Sequence, residues 1–186
     1  MTVPRMAVGA ASPGGTRILA ESSPLIVAGS TGQHRITAAR AIRPAETLLT
    51  VGGVRMRIAS RYSVQIDDNV HLNPPAGAEY LGADDSYIWR YLNHSCRPNA
   101  YFRGLDVIAL RGIASGEDVT FDYDSTEYDM AEPFVCQCGE ASCRKIVRGF
   151  RYLDSTAREQ LRPHLARHLW VHLDPAGLAS TLTTRS

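Results

Sequence analysis

The placement of the cysteines constrains the fold of this chain more than any other feature of its sequence. Its 186 residues include four cysteines, of which Cys136, Cys138 and Cys143 form the motif C-x-C-x4-C in "CQCGEASC". Thiolates this close in sequence can converge on one ion, and a structural zinc takes four ligands in a tetrahedron. Cys96 is the only other thiol, so we predict a zinc site that closes only when the chain folds. The alternative is that the cysteines are free or joined in disulfides.

The composition is that of an ordinary soluble globular protein, with 44% hydrophobic and 21% charged residues. A net charge of +1 argues against direct nucleic-acid binding, which goes with a marked basic excess. No apolar run approaches the roughly 18 residues of a membrane span, so we expect no membrane association.

The N-terminal residues 1–24 are predicted to be a loose tail rather than a signal peptide. Without an export signal the expected location is the cytoplasm, where cysteines bind metals more often than they form disulfides. Of the 20 basic residues only Lys145 is a lysine, a skew that indicates a high-GC, bacterial source.

Short strands dominate the prediction for the middle of the chain. The segments "LIVAG" and "RITAARAI" flank the turn "STGQ", "TLLTVGG" ends at a glycine pair, and "DVIALRGIASGEDVTFDY" is typical of two strands joined by a turn. The stretch "YSVQID" alternates, which places Tyr62, Val64 and Ile66 on one side of a half-buried strand. "DDSYIWRYL" predicts one short helix.

The last part of the chain predicts a helical extension. Leucines recur there at every fourth position: Leu161, Leu165, Leu169 and Leu173. Thr156 and Glu159 would form a capping box at the helix start, and Pro163 should bend the helix. We expect the leucines to pack on the domain or to mediate self-association. Histidines share the spacing, and we interpret them as an ordinary helix face rather than a second metal site: His164, His168 and His172.

Three motifs in this order, "YLNHSCRPNA", "GEDVTFDY" and "CQCGEASCR", resemble the SET-domain protein-lysine methyltransferases with a post-SET zinc motif. The resemblance implies a mainly β (α+β), β-clip-like fold of short strands with a knot-like crossing. It places a SET-like catalytic domain over residues 25–130, a post-SET zinc segment over 131–150 and the C-terminal helical extension over 151–186. The family's zinc would be held by Cys96 and the three later cysteines. The chain has no pre-SET cysteine cluster and would be a minimal member.

The resemblance also assigns roles to single residues. Tyr123 in "TFDY" matches the family's catalytic tyrosine, and Tyr62 matches a second tyrosine that lines the substrate lysine channel. Phe121 stands where the family carries Phe or Tyr, and a phenylalanine there implies room for more than monomethylation. S-adenosylmethionine would contact residues from two segments of the chain: Gly32 and His34, and Arg90, Asn93 and His94.

Two features depart from the family pattern. The cofactor loop usually reads G-x-G, whereas this chain has only Gly32, followed by Gln33, His34 and Arg35. Because glycine permits close backbone approach, this change bears on cofactor affinity. Lys145 also replaces the glycine that the family carries after the Cys-Arg pair.

Acidic residues crowd positions 117–132, a stretch without lysine or arginine. Two interpretations stay open at this point. The first is a solvated loop, which charge runs usually form, and the second is a surface that attracts a basic peptide.

These observations together predict S-adenosylmethionine-dependent methylation of a lysine ε-amine in a protein or peptide partner. Three alternatives stay open. The chain could methylate another, small-molecule amine; it could be a non-catalytic SET-like domain that binds peptides or partners with impaired cofactor binding; or it could be a zinc-stabilised interaction module.

Overall fold

The computed structural model describes residues 17–18, 23–30, 33–77 and 85–173. Most of the predicted N-terminal tail, Gly32 and residues 174–186 lie outside the described residues. Within the predicted tail, Arg17–Ile18 forms a short strand that pairs with the next one. No helix in the described part of the chain is long and apolar enough to cross a bilayer.

Thirteen short strands make up most of the regular structure of the described residues. In chain order they are β1 Arg17–Ile18, β2 Leu25–Ser30, β3 Gln33–Ala38, β4 Thr47–Thr50, β5 Val54–Met56, β6 Val64–Asp67, β7 Val70–Asn73, β8 Asn93–His94, β9 Ala100–Arg103, β10 Asp106–Ala109, β11 Thr120–Phe121, β12 Phe134–Val135 and β13 Ile146–Val147.

The strands form three small antiparallel sheets and two strand pairs. The sheets have the orders β1-β2-β3, β4-β10-β9 and β5-β7-β6, while β8 pairs with β11 and β12 with β13. The β8–β11 pair is parallel, with Thr120 opposite Asn93 and Phe121 opposite His94. One hydrophobic core joins the first and second sheets to the helix before β8, and its fully buried members include Ile36, Leu92 and Val107.

Strand β6 differs from the predicted alternation. Val64 is buried as expected, but Gln65 is also buried, and Tyr62 lies before the strand and is exposed. The Gln65 side chain is satisfied internally, because its Oε1 accepts from the backbone N–H of Tyr128 at 2.8 Å and its Nε2 donates to the Asp67 carbonyl at 3.2 Å. A polar side chain that finds partners inside the protein can leave the pattern that burial predicts.

Helical structure is confined to short pieces. The part of the chain that the structure describes has one α-helix, α1 Ser155–Leu161, and 3₁₀ helices at Asp85–Tyr91, Tyr123–Ser125, Phe150–Tyr152, Arg162–His164 and Arg167–His172. The first of these contains a kink at Tyr87.

The prediction of one bent C-terminal helix was wrong. Helix α1 begins with Asp154, whose carboxylate accepts from the Ala157 N–H at 2.8 Å, so Thr156 is not the cap. Arg162 and Pro163 then lead into a 3₁₀ turn, because proline removes the N–H that would continue the α-helical ladder.

The leucine stripe is nevertheless buried against the same chain. Leu161, Leu165 and Leu169 form a second core with Phe150, and Leu173 packs at its edge. These leucines are therefore not available for the self-association that we considered. The three histidines do not share one helix face: His164 lies against Tyr101, His168 bonds the Thr126 carbonyl at 2.8 Å, and His172 stacks on Tyr128.

Candidate active site and metal centre

The pairing of β8 with β11 brings the "NHSC" and "TFDY" motifs together. The buried Asn99 side chain fixes this junction, because its Nδ2 donates to the Asp118 carbonyl at 2.7 Å and its Oδ1 accepts from the Thr120 N–H at 2.9 Å. The Ser95 N–H donates to the Phe121 carbonyl at 3.1 Å. The predicted cofactor residues and the predicted catalytic tyrosine thus share one backbone frame.

The four thiols meet at one point. The Sγ atoms of the predicted zinc ligands all lie within 4.8 Å of one another: Cys96, Cys136, Cys138 and Cys143. Cys96 and Cys136 are 3.9 Å apart, and a Zn–S bond of about 2.3 Å in a tetrahedron separates sulfurs by about 3.8 Å. The four cysteines are unpaired in the structure, and their spacing fits a single tetrahedral ion.

Hydrogen-bond donors surround the sulfurs, as around a thiolate metal site. The Arg144 N–H points at Cys96 Sγ at 3.4 Å, and the Lys145 N–H points at Cys143 Sγ at 3.4 Å. His94 Nδ1 accepts from the Tyr123 N–H at 3.2 Å, which leaves Nε2 to carry the hydrogen, 3.3 Å from Cys96 Sγ. The ring of His94 therefore links the cysteine cluster to the "TFDY" strand and is not free to act as a base.

Beside the cysteine cluster lies a cavity of about 780 Å³. Its volume is that of a typical site for a small molecule or cofactor. It is lined by residues from nearly every predicted site segment: His34, Tyr62, Arg90, Asn93, His94, Phe121 and Tyr123. Two predicted zinc ligands, Cys136 and Cys138, also line it, as do residues that we did not predict from the sequence: Trp89, Phe102, Glu127 and Phe134 among them.

Aromatic rings form one wall of the cavity. The Tyr123 ring lies 4.8 Å from Phe121 and 5.9 Å from Phe134, centroid to centroid. The Tyr123 hydroxyl donates to the Leu92 carbonyl at 2.7 Å, and burial, with the negative charge of Glu127, raises its pKa above the usual value. Tyr123 is thus a neutral phenol in a fixed orientation, while Tyr62, 42% exposed, lies at the solvent side.

The other end of the cavity is polar. The Arg90 guanidinium lies 4.5 Å from the Tyr91 ring centroid and donates from Nη2 to the Tyr91 hydroxyl at 2.7 Å. Its Nε and Nη1 are buried and have no hydrogen-bond partner among the described residues. Asn93 reaches the His34 carbonyl at 3.4 Å, and the His34 ring lies 4.7 Å from Tyr91.

Neither interpretation of the acidic stretch holds for three of its members. Asp122, Asp124 and Glu127 are buried, with exposed fractions of 3%, 1% and 8%. Arg144 Nη2 binds Asp122 Oδ2 at 2.7 Å and Asp124 Oδ2 at 3.0 Å, and the Gly149 N–H donates to Asp124 Oδ1 at 2.8 Å. Asp122 and Asp124 thus tie the cysteine segment to the main domain through Arg144 and Gly149.

We predict that Arg144→Met lowers the free energy of unfolding by about 3–5 kcal/mol, because it leaves buried carboxylates unpaired. Burial by itself lowers the pKa of Arg144, yet the two carboxylates raise it by more, so the cation is retained inside the protein. Urea unfolding of the zinc-loaded protein measures the change. Arg151→Met is the matched control, since it breaks an ion pair of exposed partners with Asp129. An equal loss in both variants would contradict the prediction.

Comparison with known protein families identifies the class of this domain. The SET domain family matches residues 33–124, which contain the first two of the three motifs. Residues 33–124 are therefore a SET domain, and the predicted SET fold of short strands is confirmed.

Curated relatives match over the same part of the chain. Methyltransferase flvH of Aspergillus flavus is 36% identical over 81 residues, which cover 40% of this chain and 46% of the relative. Histone-lysine N-methyltransferase trithorax of Drosophila virilis is 34% identical over 94 residues, 46% of this chain and 2% of the relative. The H3 lysine-36 specific histone-lysine N-methyltransferase of Candida albicans is 36% identical over 76 residues, 37% of this chain and 9% of the relative. The chain thus spans less than half the length of these relatives.

Among solved structures, one described as KRYPTONITE in complex with mCHG DNA and SAH is similar to this chain with a TM-score of 0.48. The two sequences are 21% identical, and the match covers 63% of this chain and 27% of that one.

Proposed function

We propose that this protein transfers a methyl group from S-adenosylmethionine to a lysine ε-amine of a protein. The observation that carries the proposal is the partly buried Tyr123 phenol, held by the Leu92 carbonyl in the aromatic wall of the cavity. The names of the histone-lysine methyltransferase relatives support the same chemistry. We also propose that residues 25–130 form the catalytic domain, 131–150 the zinc segment and 151–186 a C-terminal extension.

The polar end of the cavity fits the cofactor. S-adenosylmethionine supplies an electrophilic methyl group on a sulfonium. The unpartnered Nε and Nη1 of Arg90 suit a carboxylate, because a guanidinium presents a fork of donors to two oxygens. Asn93 and His94 would contribute backbone groups, and His34 one side of the pocket. Gly32 stays a prediction outside the described residues.

The aromatic wall suits a lysine side chain. The attacking amine must carry a lone pair, whereas free lysine has a pKa of about 10.4. Burial beside Phe121, Tyr123 and Phe134 disfavours the ammonium and lowers its pKa. The Tyr123 oxygen, whose hydrogen is engaged by Leu92, can accept from an amine N–H and so aim the nitrogen lone pair at the methyl group. Positioning of this kind can supply much of a rate enhancement.

The cysteine cluster fits zinc in a structural role. Four thiolates complete a tetrahedral shell and leave no open position for a substrate. Cys136 and Cys138 also line the cavity. The ion would hold Cys96 of the main domain to the segment 136–143, and it would thereby close one side of the pocket.

Phe121→Tyr should restrict the product to monomethyl-lysine. The Phe121 ring is 7% exposed and packs 4.8 Å from both Phe102 and Tyr123, so an added hydroxyl would occupy space in the channel. Mass spectrometry of methylated histone H3 measures the distribution of products. We expect di- or trimethylated lysine with the natural protein and little with the variant. Multiple methylation by Phe121→Tyr would contradict this assignment.

The proposed function is tested first by calorimetric titration of S-adenosylmethionine into zinc-loaded protein. We expect saturable binding near one site per chain, about tenfold weaker in Arg90→Met because an ionic hydrogen bond is lost. Arg97→Met is the control, since Arg97 is exposed and only weakly paired with Glu140. Absence of binding by folded, zinc-loaded protein would overturn the proposal and favour the non-catalytic alternative.

A further inference from the structure

One buried titratable group in the cavity has no part in the mechanism above. Glu127 lines the same cavity as Tyr123, and it is close enough for its charge to raise the pKa of the Tyr123 phenol. Its exposed fraction is 8%. A carboxylate buried to this extent is costly unless it meets a cation or becomes protonated.

The surroundings of Glu127 offer hydrogen bonds but no fixed cation. Its Oε1 accepts from the Gln65 N–H at 2.7 Å and lies 3.4 Å from Thr126 Oγ1. The other oxygen, Oε2, faces His71 Nε2 at 3.7 Å, and neither ring nitrogen of His71 has a hydrogen-bond partner in the described part of the chain. No lysine or arginine among the described residues forms an ion pair with Glu127.

The charged groups around Glu127 come from several elements. His71 belongs to β7, and burial together with the nearby His168 of the C-terminal segment lowers its pKa, so it is neutral at pH 7. Burial lowers the pKa of His168 as well, against the opposite effect of Asp67 at the end of β6 and Asp68 directly after it. Tyr123 is a neutral phenol, because burial and the charge of Glu127 raise its pKa by more than the positive charge of Arg61 lowers it. Burial raises the pKa of Glu127 to about 7, against the opposite effect of its hydrogen bonds to Gln65 and Thr126.

We propose that Glu127 receives the ammonium group of the substrate lysine in the cavity and accepts its proton before methyl transfer. This inference rests on the proposed function and names a second catalytic residue beside Tyr123. The acid also favours a cationic amine over a neutral side chain as the substrate, because an incoming ammonium supplies the counter-charge that no described lysine or arginine gives to Glu127.

The proton and the electrons balance in this step. The lysine –NH₃⁺ gives one proton to the Glu127 carboxylate, which yields a neutral amine and a carboxylic acid. The amine lone pair then forms the N–C bond as the S–CH₃ bond breaks, and the sulfur keeps that electron pair. The product leaves as a methylammonium ion, and the Glu127 proton passes to water, so one proton is released in each transfer.

If Glu127 had only a structural role, it would need only an oxygen that accepts the hydrogen bond from the Gln65 N–H. Glu127→Gln keeps an oxygen for the Gln65 N–H but has neither a charge nor a site for the proton. The variant therefore separates the two roles. Glu127→Asp keeps the acid on a shorter side chain and is the second variant.

Direct titration tests the proposal without methyl transfer. Protein labelled with ¹³C at glutamate carboxyls is titrated by NMR, alone and with S-adenosylhomocysteine, and the Glu127 signal is assigned by its loss in Glu127→Gln or Glu127→Asp. We expect a midpoint near pH 7 that falls when n-butylammonium, a mimic of the lysine side chain, is added. n-Butanol should leave it unchanged. A midpoint that butylammonium does not move would overturn the proposal.

Kinetics supply the second test. With histone H3 as substrate, Glu127→Gln should lower kcat about 100-fold, as expected for loss of a general base, and abolish the fall in rate below pH 7. Glu159→Gln, a change in an exposed ion pair on α1, is the control. An unchanged pH profile in Glu127→Gln would overturn the role of Glu127. A failure of S-adenosylmethionine to bind in the calorimetric experiment would instead overturn the proposed function.

Discussion

Tyr123→Phe should abolish methyl transfer while the protein stays folded, binds zinc and binds S-adenosylmethionine. The substitution removes one oxygen, which donates to the Leu92 carbonyl at 2.7 Å and is the acceptor proposed to aim the lysine amine. Loss of one oriented polar group in an active site typically lowers kcat by about 100-fold or more. Transfer of a radiolabelled methyl group to histone H3 measures the rate, and calorimetry measures the cofactor affinity.

The same variant should also lose some folding stability, and this loss has to be measured separately from the loss of activity. Without the hydroxyl the buried Leu92 carbonyl loses its donor, which costs about 1–3 kcal/mol. Tyr152→Phe is the control, because Tyr152 is 45% exposed and the substitution removes the same hydroxyl oxygen at a position away from the cavity. Normal activity of Tyr123→Phe would show that this tyrosine does not position the amine.

Loss of zinc should unfold the segment 131–150 and abolish cofactor binding. Strands β12 and β13 are two residues long each, which is too short for a hairpin to be stable alone. Metal affinity therefore supplies the free energy of folding, as in zinc-finger peptides, where it amounts to about 10–16 kcal/mol. Because Phe134, Cys136 and Cys138 line the cavity, the pocket opens when the segment unfolds.

Cys138→Ser tests this expectation against Ser142→Ala, a change in the same loop at a residue that is not a ligand. Elemental analysis should give about one zinc per chain in the control and much less in Cys138→Ser. Circular dichroism should show that most strands remain, because none of the cysteines belongs to the main hydrophobic core. A metal-free protein with two disulfides, detected by mass spectrometry without reductant, would contradict the zinc site.

The strands show where local patterns were sufficient. "LIVAG" and "TLLTVGG" predicted β2 and β4 correctly, because their apolar residues, Leu25 and Leu48 among them, enter the core directly. In the C-terminal segment, local patterns were not sufficient to predict the secondary structure. Its leucine spacing fits a helix, but Pro163 and packing against Phe150 divide it into short turns that still bury the same leucines. The leucine spacing predicted which side chains are buried, but it did not predict the backbone conformation that buries them.

The acidic stretch illustrates a second limit. Charge in a sequence favours solvent, and only a partner distant in sequence can reverse that preference. Arg144 does so for Asp122 and Asp124 across about twenty residues. For Glu127 the partner lies in strand β6, where the Gln65 N–H donates to the Glu127 carboxylate. Neither pairing has a local signal, so the sequence interpretation left these acids on the surface.

The sequence by itself determined the candidate zinc ligands, the order of the motifs and the aromatic residues of the candidate site. These depend only on which chemical groups the chain carries and on their order. Four thiols can complete one tetrahedral shell wherever the chain brings them together. The tertiary structure decided which groups share the cavity: it aligned Phe121 with His94 in a parallel pair, fixed the Tyr123 hydroxyl on Leu92 and buried Glu127 beside them. Those contacts join residues far apart in sequence, and their energies depend on burial, which a local pattern does not specify.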